Sequence, residues 1–111
     1  MSYRQVLLRG RERLDASTIV LQRARRADPL AGMWEASDVQ WWWRRPRVTD
    51  DVALPVWFDE DGPVAAAGLT AETDAWQVDA FVVPATVPVD EVFEAAVAAT
   101  SGEDVELEVL A

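Results

Sequence analysis

The fold is decided by the stretch 54-LPVWFDEDGPVAAAGLT-70, in which Asp61-Gly62 separates two apolar runs. An Asp-Gly pair between two such runs is typical of a β-hairpin, because the turn needs residues that tolerate positive φ. We therefore predict antiparallel strands over 54–58 and 63–70. A polar break follows Thr70, and the apolar run 76–83 predicts a third strand. The three strands together form an antiparallel meander.

The pattern changes again downstream of the meander. Pro84 ends the third strand, and residues 88–100 carry apolar side chains at helical spacing. Gly102 follows this run, as is common where helices end. Residues 104–110 then alternate valine or leucine with acidic residues, which predicts a final strand with one wet face. As the last strand, it would have an edge that needs a partner.

Upstream of the hairpin, residues 16–27 carry the apolar pattern of a helix. Asp15 or Ser17 is a suitable N-cap, and Asp28-Pro29 ends the pattern because the residue before a proline avoids helical geometry. Residues 1–14 are left as a lead-in segment. The predicted class is α+β with the order α-α-β-β-β-α-β, and the 111 residues suit a single domain.

The second predicted helix covers residues 33–45. It has an internal start near Ser37 or Asp38, and Pro46 stops it. Its tryptophans occupy at least two faces, which predicts that other elements cover it on more than one side.

Charge and composition exclude several classes of protein. Twenty carboxylates against ten basic residues give a net charge of −10, which argues against a nucleic-acid partner. All the basic residues are arginines between Arg4 and Arg47, which reflects either GC-rich codon usage or a dipole that steers a partner. The chain has no cysteine and no histidine, so disulfides, thiolate metal sites and histidine-containing triads are excluded. With no apolar run of membrane-spanning or signal-peptide length, we expect a cytoplasmic location and no membrane partner.

Four segments carry a resemblance to a known family. They are 40-QWWWRRP-46, 56-VWFDEDGPVAA-66, and the segments 76-WQVD-79 and 82-VVP-84. With the order of elements, they resemble the N-terminal part of actinobacterial GNAT N-acetyltransferases from about Asp28 onward. This resemblance implies a partial GNAT-like fold and acetyl-CoA as the cofactor of the full-length enzyme. A GNAT fold continues beyond its fifth strand with another helix and two strands, so we expect a fragment or a half-fold completed by a partner.

In this superfamily the fourth strand leads through an Arg/Gln-x-x-Gly-x-Gly/Ala loop into a helix, and backbone amides there hold the pyrophosphate of acetyl-CoA. The corresponding positions depart from that pattern: Pro84, Ala85, Thr86, Val87 and Pro88. They include no glycine and no arginine, and the acidic residues at 90 and 91 repel a pyrophosphate. The resemblance therefore implies a degenerate unit with no cofactor-binding, catalytic or metal-binding residues. Tyr3, the only tyrosine, lies at the wrong end to serve as the family's acid.

Other conspicuous side chains admit two interpretations. The six tryptophans either fill a core or interface or line a groove that stacks on a ligand, and we expect Trp57 and Trp76 to be buried. Three carboxylates at the hairpin form either a solvated tip or a paired-acid or hard-metal site, namely Asp59, Glu60 and Asp61. Three arginines either complement a helix C-terminus or bind an anion, namely Arg44, Arg45 and Arg47.

These observations leave three hypotheses for the function. The first is an N-terminal, non-catalytic GNAT-like domain that supports a catalytic half or partner. The second is an acidic protein-interaction module of the inhibitor or immunity type. The third, a self-sufficient acetyltransferase, is disfavoured by the altered loop. We also expect a homodimer that uses the edge of the final strand or the Trp-rich helix.

Overall fold

The structure is a computed structural model that describes residues 3–30, 35–44, 47–71, 75–100 and 106–109. These described residues form five strands and three helices. In chain order they are β1 (Arg4–Leu8), α1 (Gly10–Ala27), α2 (Ala36–Trp42), β2 (Leu54–Asp59), β3 (Gly62–Ala71), β4 (Ala75–Val82), α3 (Val89–Thr100) and β5 (Glu106–Val109). The predicted α+β class is confirmed.

One sheet contains all five strands in the order β1-β2-β3-β4-β5. Neighbours from β1 to β4 are antiparallel, whereas β5 pairs with β4 in parallel. The predicted hairpin is confirmed, because β2 and β3 meet at Asp59 and Gly62. Gly62 has a φ of 132°, a backbone conformation that side chains larger than hydrogen rarely adopt.

The predicted order α-α-β-β-β-α-β is wrong at its start, because β1 precedes the helices and adds a fourth antiparallel strand to the sheet. This strand lies inside the stretch that the sequence left as a lead-in, residues 1–14. Five residues with two polar side chains are too short for a recognisable strand pattern. Pairing with β2, from Arg4 opposite Phe58 to Leu8 opposite Leu54, makes them a strand.

The start of α1 also differs from the prediction, because the helix begins at Gly10 rather than at residue 16. Neither Asp15 nor Ser17 is an N-cap: Asp15 is exposed within the helix and Ser17 is buried there. Gly10 adopts a left-handed φ of 60°, and its amide donates to the Asp50 carbonyl oxygen at 2.8 Å. A contact with a distant segment therefore fixes where α1 begins.

Helix α2 lies within the predicted range of 33–45. Glu35 is its N-cap, and Asp38 completes a capping box by accepting a hydrogen bond from the Glu35 amide at 2.8 Å. The prediction that other elements cover α2 on more than one side is wrong, since the side chain of Trp41 is 62% exposed. Residues 33, 34, 45 and 46 lie outside the described residues.

The core lies where β2 and β3 are buried on both faces. Four consecutive residues of β3, 64–67, are at most 1% exposed, so both faces of this strand are covered. α1 packs mainly on β3 and β4, whereas α3 packs on β2, β3 and β4. The predicted burial of Trp57 is confirmed, while Trp76 is only half-buried.

Gly68 allows a close approach between β3 and a neighbouring ring. A Cβ atom at this position would lie 2.7 Å from Cζ of Phe81, on the adjacent strand. Real Cβ atoms do not come this close to other atoms, so the position requires glycine unless the ring moves. Among the described residues, no helix is both long and apolar enough to cross a membrane.

Candidate functional site

The β4–α3 loop, residues 83–88, occupies the position that the sequence singled out. Its turn closes on itself: the Thr86 amide donates to the Val83 carbonyl oxygen at 3.3 Å, and the Thr86 hydroxyl donates to the same oxygen at 2.6 Å. Val87 is 4% exposed and anchors the loop in the core. Ala85 adopts a φ of 64°, which is left-handed and favours glycine.

Few backbone amides of this loop are free to bind an anion. Pro84 and Pro88 have no amide hydrogen, and the amides of Val83 and Thr86 donate to protein carbonyl oxygens. At the start of α3, the exposed Asp90 adds a negative charge to the first turn. The geometry therefore stabilises the helix end with the protein's own groups.

A second polar cluster centres on Arg13, which is 3% exposed. Its guanidinium donates to the Val52 carbonyl oxygen at 2.7 Å and to the Thr49 carbonyl oxygen at 3.0 Å. It also lies 5.4 Å from the centroid of the Trp43 ring. Burial lowers the pKa of Arg13 to about 10, so the side chain remains charged at neutral pH.

The predicted arginine cluster divides between different partners. Arg47 forms an ion pair with Asp50 at 3.1 Å, and its guanidinium lies 5.7 Å from the Trp43 ring centroid. Arg44 lies 4.0 Å over the ring of Trp41. Arg45 is outside the described residues. These contacts hold Arg44 and Arg47 against the protein, while anion binding by the cluster stays a prediction.

A small cavity lies beside Arg13 and Trp43, between the helices and the sheet. Its volume is about 10 Å³, which is close to the space that one water molecule needs. Arg47 lines this cavity, and two residues further along the chain the hydroxyl of Thr49 is buried and makes no hydrogen bond to any described residue. Room for at most a water molecule points to a structural role for this cluster.

The carboxylates of the β2–β3 turn are not equivalent. Asp59 forms an ion pair with Arg23 of α1 at 2.9 Å, whereas Glu60 and Asp61 are exposed. The hydrogen bond from Arg23, with a second from the Asp61 amide, holds the pKa of Asp59 below its usual range. Asp59 therefore links the turn to α1. Across the described ranges, no three acidic side chains come close enough to hold a metal ion.

Sequence reasoning missed the role of Arg13. The residue stands in a run with Arg9 and Arg11 at alternate positions, and nothing in this pattern distinguishes the buried arginine from its exposed neighbours. The partners of Arg13 are 36 and 39 residues further along the chain. Only the folded chain identifies it.

Comparison with known proteins adds no relative to these observations. No family model, curated protein or solved structure matches the chain. The topology, the β4–α3 loop and the distribution of charge are therefore the features of the chain that bear on its function.

Proposed function

We propose that this chain is an N-terminal, non-catalytic GNAT-like domain that supports a catalytic half or another partner. One observation carries the proposal: β4, the fourth strand along the chain, leads through residues 83–88 into α3, and β5 then returns parallel to β4. The sequence resemblance implies a fourth strand, loop and helix in this order. When β1 is counted, the strand that precedes this loop is the fourth strand of the chain, as the resemblance implies.

The non-catalytic part of the proposal is supported by the chemistry of the β4–α3 loop. A pyrophosphate needs free amides and a positive helix end. Here the prolines remove donors, Thr86 closes the turn on Val83, and Asp90 places a carboxylate in the first helical turn. We assign no catalytic, cofactor-binding or metal-binding residue to this chain, and acetyl-CoA binding belongs to the catalytic half.

Calorimetry with acetyl-CoA tests this assignment. We expect no measurable binding by the natural chain. The matched variant carries Ala85→Gly, Pro88→Gly, Asp90→Asn and Glu91→Gln, which adds an amide and removes two charges at the same loop. Since these changes restore what an anion needs, we expect this variant to bind acetyl-CoA detectably.

Two outcomes count against the proposal. Micromolar binding by the natural chain, about −8 kcal/mol, contradicts the non-catalytic assignment. Absence of binding by both chains, with circular dichroism showing that both are folded, removes the support for placing this loop at a cofactor position.

Charge distribution supports a second candidate, the acidic protein-interaction module. Residues 48–111 contain fifteen carboxylates and no arginine, whereas residues 1–47 contain all ten arginines and five carboxylates. The exposed face of α3 includes Asp90, Glu91 and Glu94. Such a surface favours encounter with a basic partner.

Affinity capture from a native lysate separates the two candidates. The bait is the natural chain, and the control bait carries Asp90→Asn, Glu91→Gln and Glu94→Gln. A basic protein that is captured by the natural chain only, and is released by high salt, favours the interaction module. A captured protein with acetyltransferase activity favours the supporting domain.

Three further expectations belong to the same proposal. They are a cytoplasmic location, the absence of a nucleic-acid partner, and self-association through the final strand or α2. Cell fractionation, nucleic-acid titration and light scattering test them in turn.

A further inference from the structure

A cleft with a volume of about 540 Å³ lies at the end of the sheet where β4 begins. Its lining comes from distant parts of the chain: Arg9 between β1 and α1, Val48 and residues 51–53 before β2, Trp76 of β4 and Ala99 near the end of α3. This volume is in the range of sites for small molecules. Because the β4–α3 loop follows the other end of β4, the cleft is separate from that loop and independent of the GNAT-like assignment.

Most of the lining is apolar and includes an aromatic ring. Trp76 is half-buried, since it packs against the hydrophobic core and also lines the cleft. The exposed Val48 and Ala99 and the half-buried Val52 and Ala53 are the aliphatic part of the lining. A tryptophan with aliphatic neighbours gives a ligand a large and rigid apolar surface. The incomplete burial of Trp76, which departs from the sequence prediction, therefore leaves part of its surface for a ligand.

Two side chains of opposite charge line the same cleft. Of the described residues in the lining, Arg9 is the only basic one and Asp51 is the only acidic one, and both are exposed. A Cβ atom at Gly10 would lie 3.9 Å from Oδ1 of Asp51, so this carboxylate lies beside the residue that follows Arg9. Neither the Arg9 nor the Asp51 side chain forms an ion pair with any described residue.

Other charged side chains of this protein are paired. Arg23 pairs with Asp59 at 2.9 Å and Arg47 pairs with Asp50 at 3.1 Å, so the fold brings arginines and carboxylates together where they hold its own segments. The charges at the cleft share one surface without pairing with each other. Opposite charges held apart beside an apolar surface are complementary to a molecule that carries both an ammonium and a carboxylate group.

We infer that this cleft binds a free amino acid with an apolar side chain. Arg9 pairs with the carboxylate of the ligand, Asp51 pairs with its ammonium group, and the apolar side chain packs against Trp76. A purely anionic ligand is repelled by Asp51, and a purely cationic ligand is repelled by Arg9. A zwitterion avoids both repulsions, which is why the ligand is an amino acid rather than a simple amine or acid.

Titration with L-phenylalanine, followed by the NMR signals of the tryptophan indole N–H groups, tests the inference. The Trp76→Phe variant identifies the Trp76 signal, because that signal is missing from its spectrum. We expect L-phenylalanine to shift this signal with a dissociation constant in the millimolar range. The probes 2-phenylethylamine and 3-phenylpropionate each lack one of the two charges, so they should bind about fivefold more weakly. No shift of the Trp76 signal at tens of millimolar amino acid, or equal affinity for all three probes, would overturn the inference.

Two charge variants establish which residue pairs with which group of the ligand. Arg9→Gln should weaken the binding of L-phenylalanine about fivefold without weakening that of 2-phenylethylamine, which has no carboxylate. Asp51→Asn should weaken the binding of L-phenylalanine about fivefold without weakening that of 3-phenylpropionate, which has no ammonium group. All the exchanged side chains are exposed, so both variants should fold like the natural chain.

Arg11→Gln and Glu60→Gln are the matched controls, because each removes one exposed charge of the same sign away from the cleft. They should leave the affinities for the three probes almost unchanged, since exposed charges at a distance are screened by salt. If Arg9→Gln and Asp51→Asn weaken all three probes alike, or act no more strongly than these controls, the inference is wrong.

Discussion

Residues 47–53 and residues 83–88 are both irregular segments next to a regular element, yet different contacts hold them in place. Residues 83–88 are closed by a neighbour three positions away, through the hydrogen bonds from Thr86 to Val83. Residues 47–53 have local bonds as well, but α1 also holds them through Arg13 and the Gly10 amide. The first segment is closed by bonds within the segment and tied to β3 by the bond from the Val83 amide to the Val64 carbonyl oxygen, whereas the second is held by a helix about forty residues earlier in the chain.

The two segments also differ in what they leave for function. In residues 83–88 the internal bonds consume donors that an anion needs, so closure of the turn and loss of a ligand site have the same cause. In residues 47–53 the interior holds a buried cation, Arg13, whose burial must be offset by hydrogen bonds to carbonyl oxygens. Hydrogen bonds within a loop leave it few donors for a ligand, whereas hydrogen bonds to a distant residue make its conformation depend on that residue.

The largest expected effect is that of Arg13→Ala. It removes two charge-assisted hydrogen bonds and a contact with Trp43, so we expect the free energy of unfolding to fall by about 3 kcal/mol. Urea unfolding measures this change. Arg11→Ala, at an exposed position of the same helix, is the control and should stay within about 0.5 kcal/mol. A loss below about 1 kcal/mol for Arg13→Ala would show that residues 47–53 are held in place without Arg13.

Thr86→Val has a smaller expected effect. It removes the hydroxyl bond to the Val83 carbonyl oxygen but keeps the amide bond, so we expect a loss of about 1 kcal/mol. Thr70→Val, in β3, is a matched control because the Thr70 hydroxyl makes no hydrogen bond within the described residues. Equal effects in the two variants would mean that the hydroxyl of Thr86 does not contribute to closing the turn.

Ala85→Gly should produce the smallest effect and the opposite sign. Ala85 has a left-handed φ of 64°, so glycine relieves backbone strain, and we expect a gain of about 0.5 kcal/mol. Ala99→Gly, at an exposed position in α3, should instead lose about 0.5 kcal/mol or more. Thermal unfolding of the two variants compares the signs. A destabilised Ala85→Gly would contradict the strain at this position.

The sequence predicted the elements that have local signals. The hairpin of β2 and β3 follows from the Asp-Gly turn, and α3 follows from the apolar spacing of residues 88–100. The departure of residues 83–88 from the family loop was also visible in the sequence, because prolines and acidic residues are local chemistry. The GNAT resemblance and the assignment of acetyl-CoA to another half stay predictions.

The sequence by itself determined the α+β class, the central strands and the charge division at Arg47, since each depends on neighbouring residues or on counting. Only the tertiary structure decided that Arg4–Leu8 is a strand, that α1 begins at Gly10 and that Arg13 is buried. The physical reason is the same in all three cases. A short strand needs hydrogen bonds from a partner strand, the Gly10 amide needs the Asp50 carbonyl oxygen, and a buried arginine needs carbonyl oxygens. In each case the partners lie more than thirty positions further along the chain.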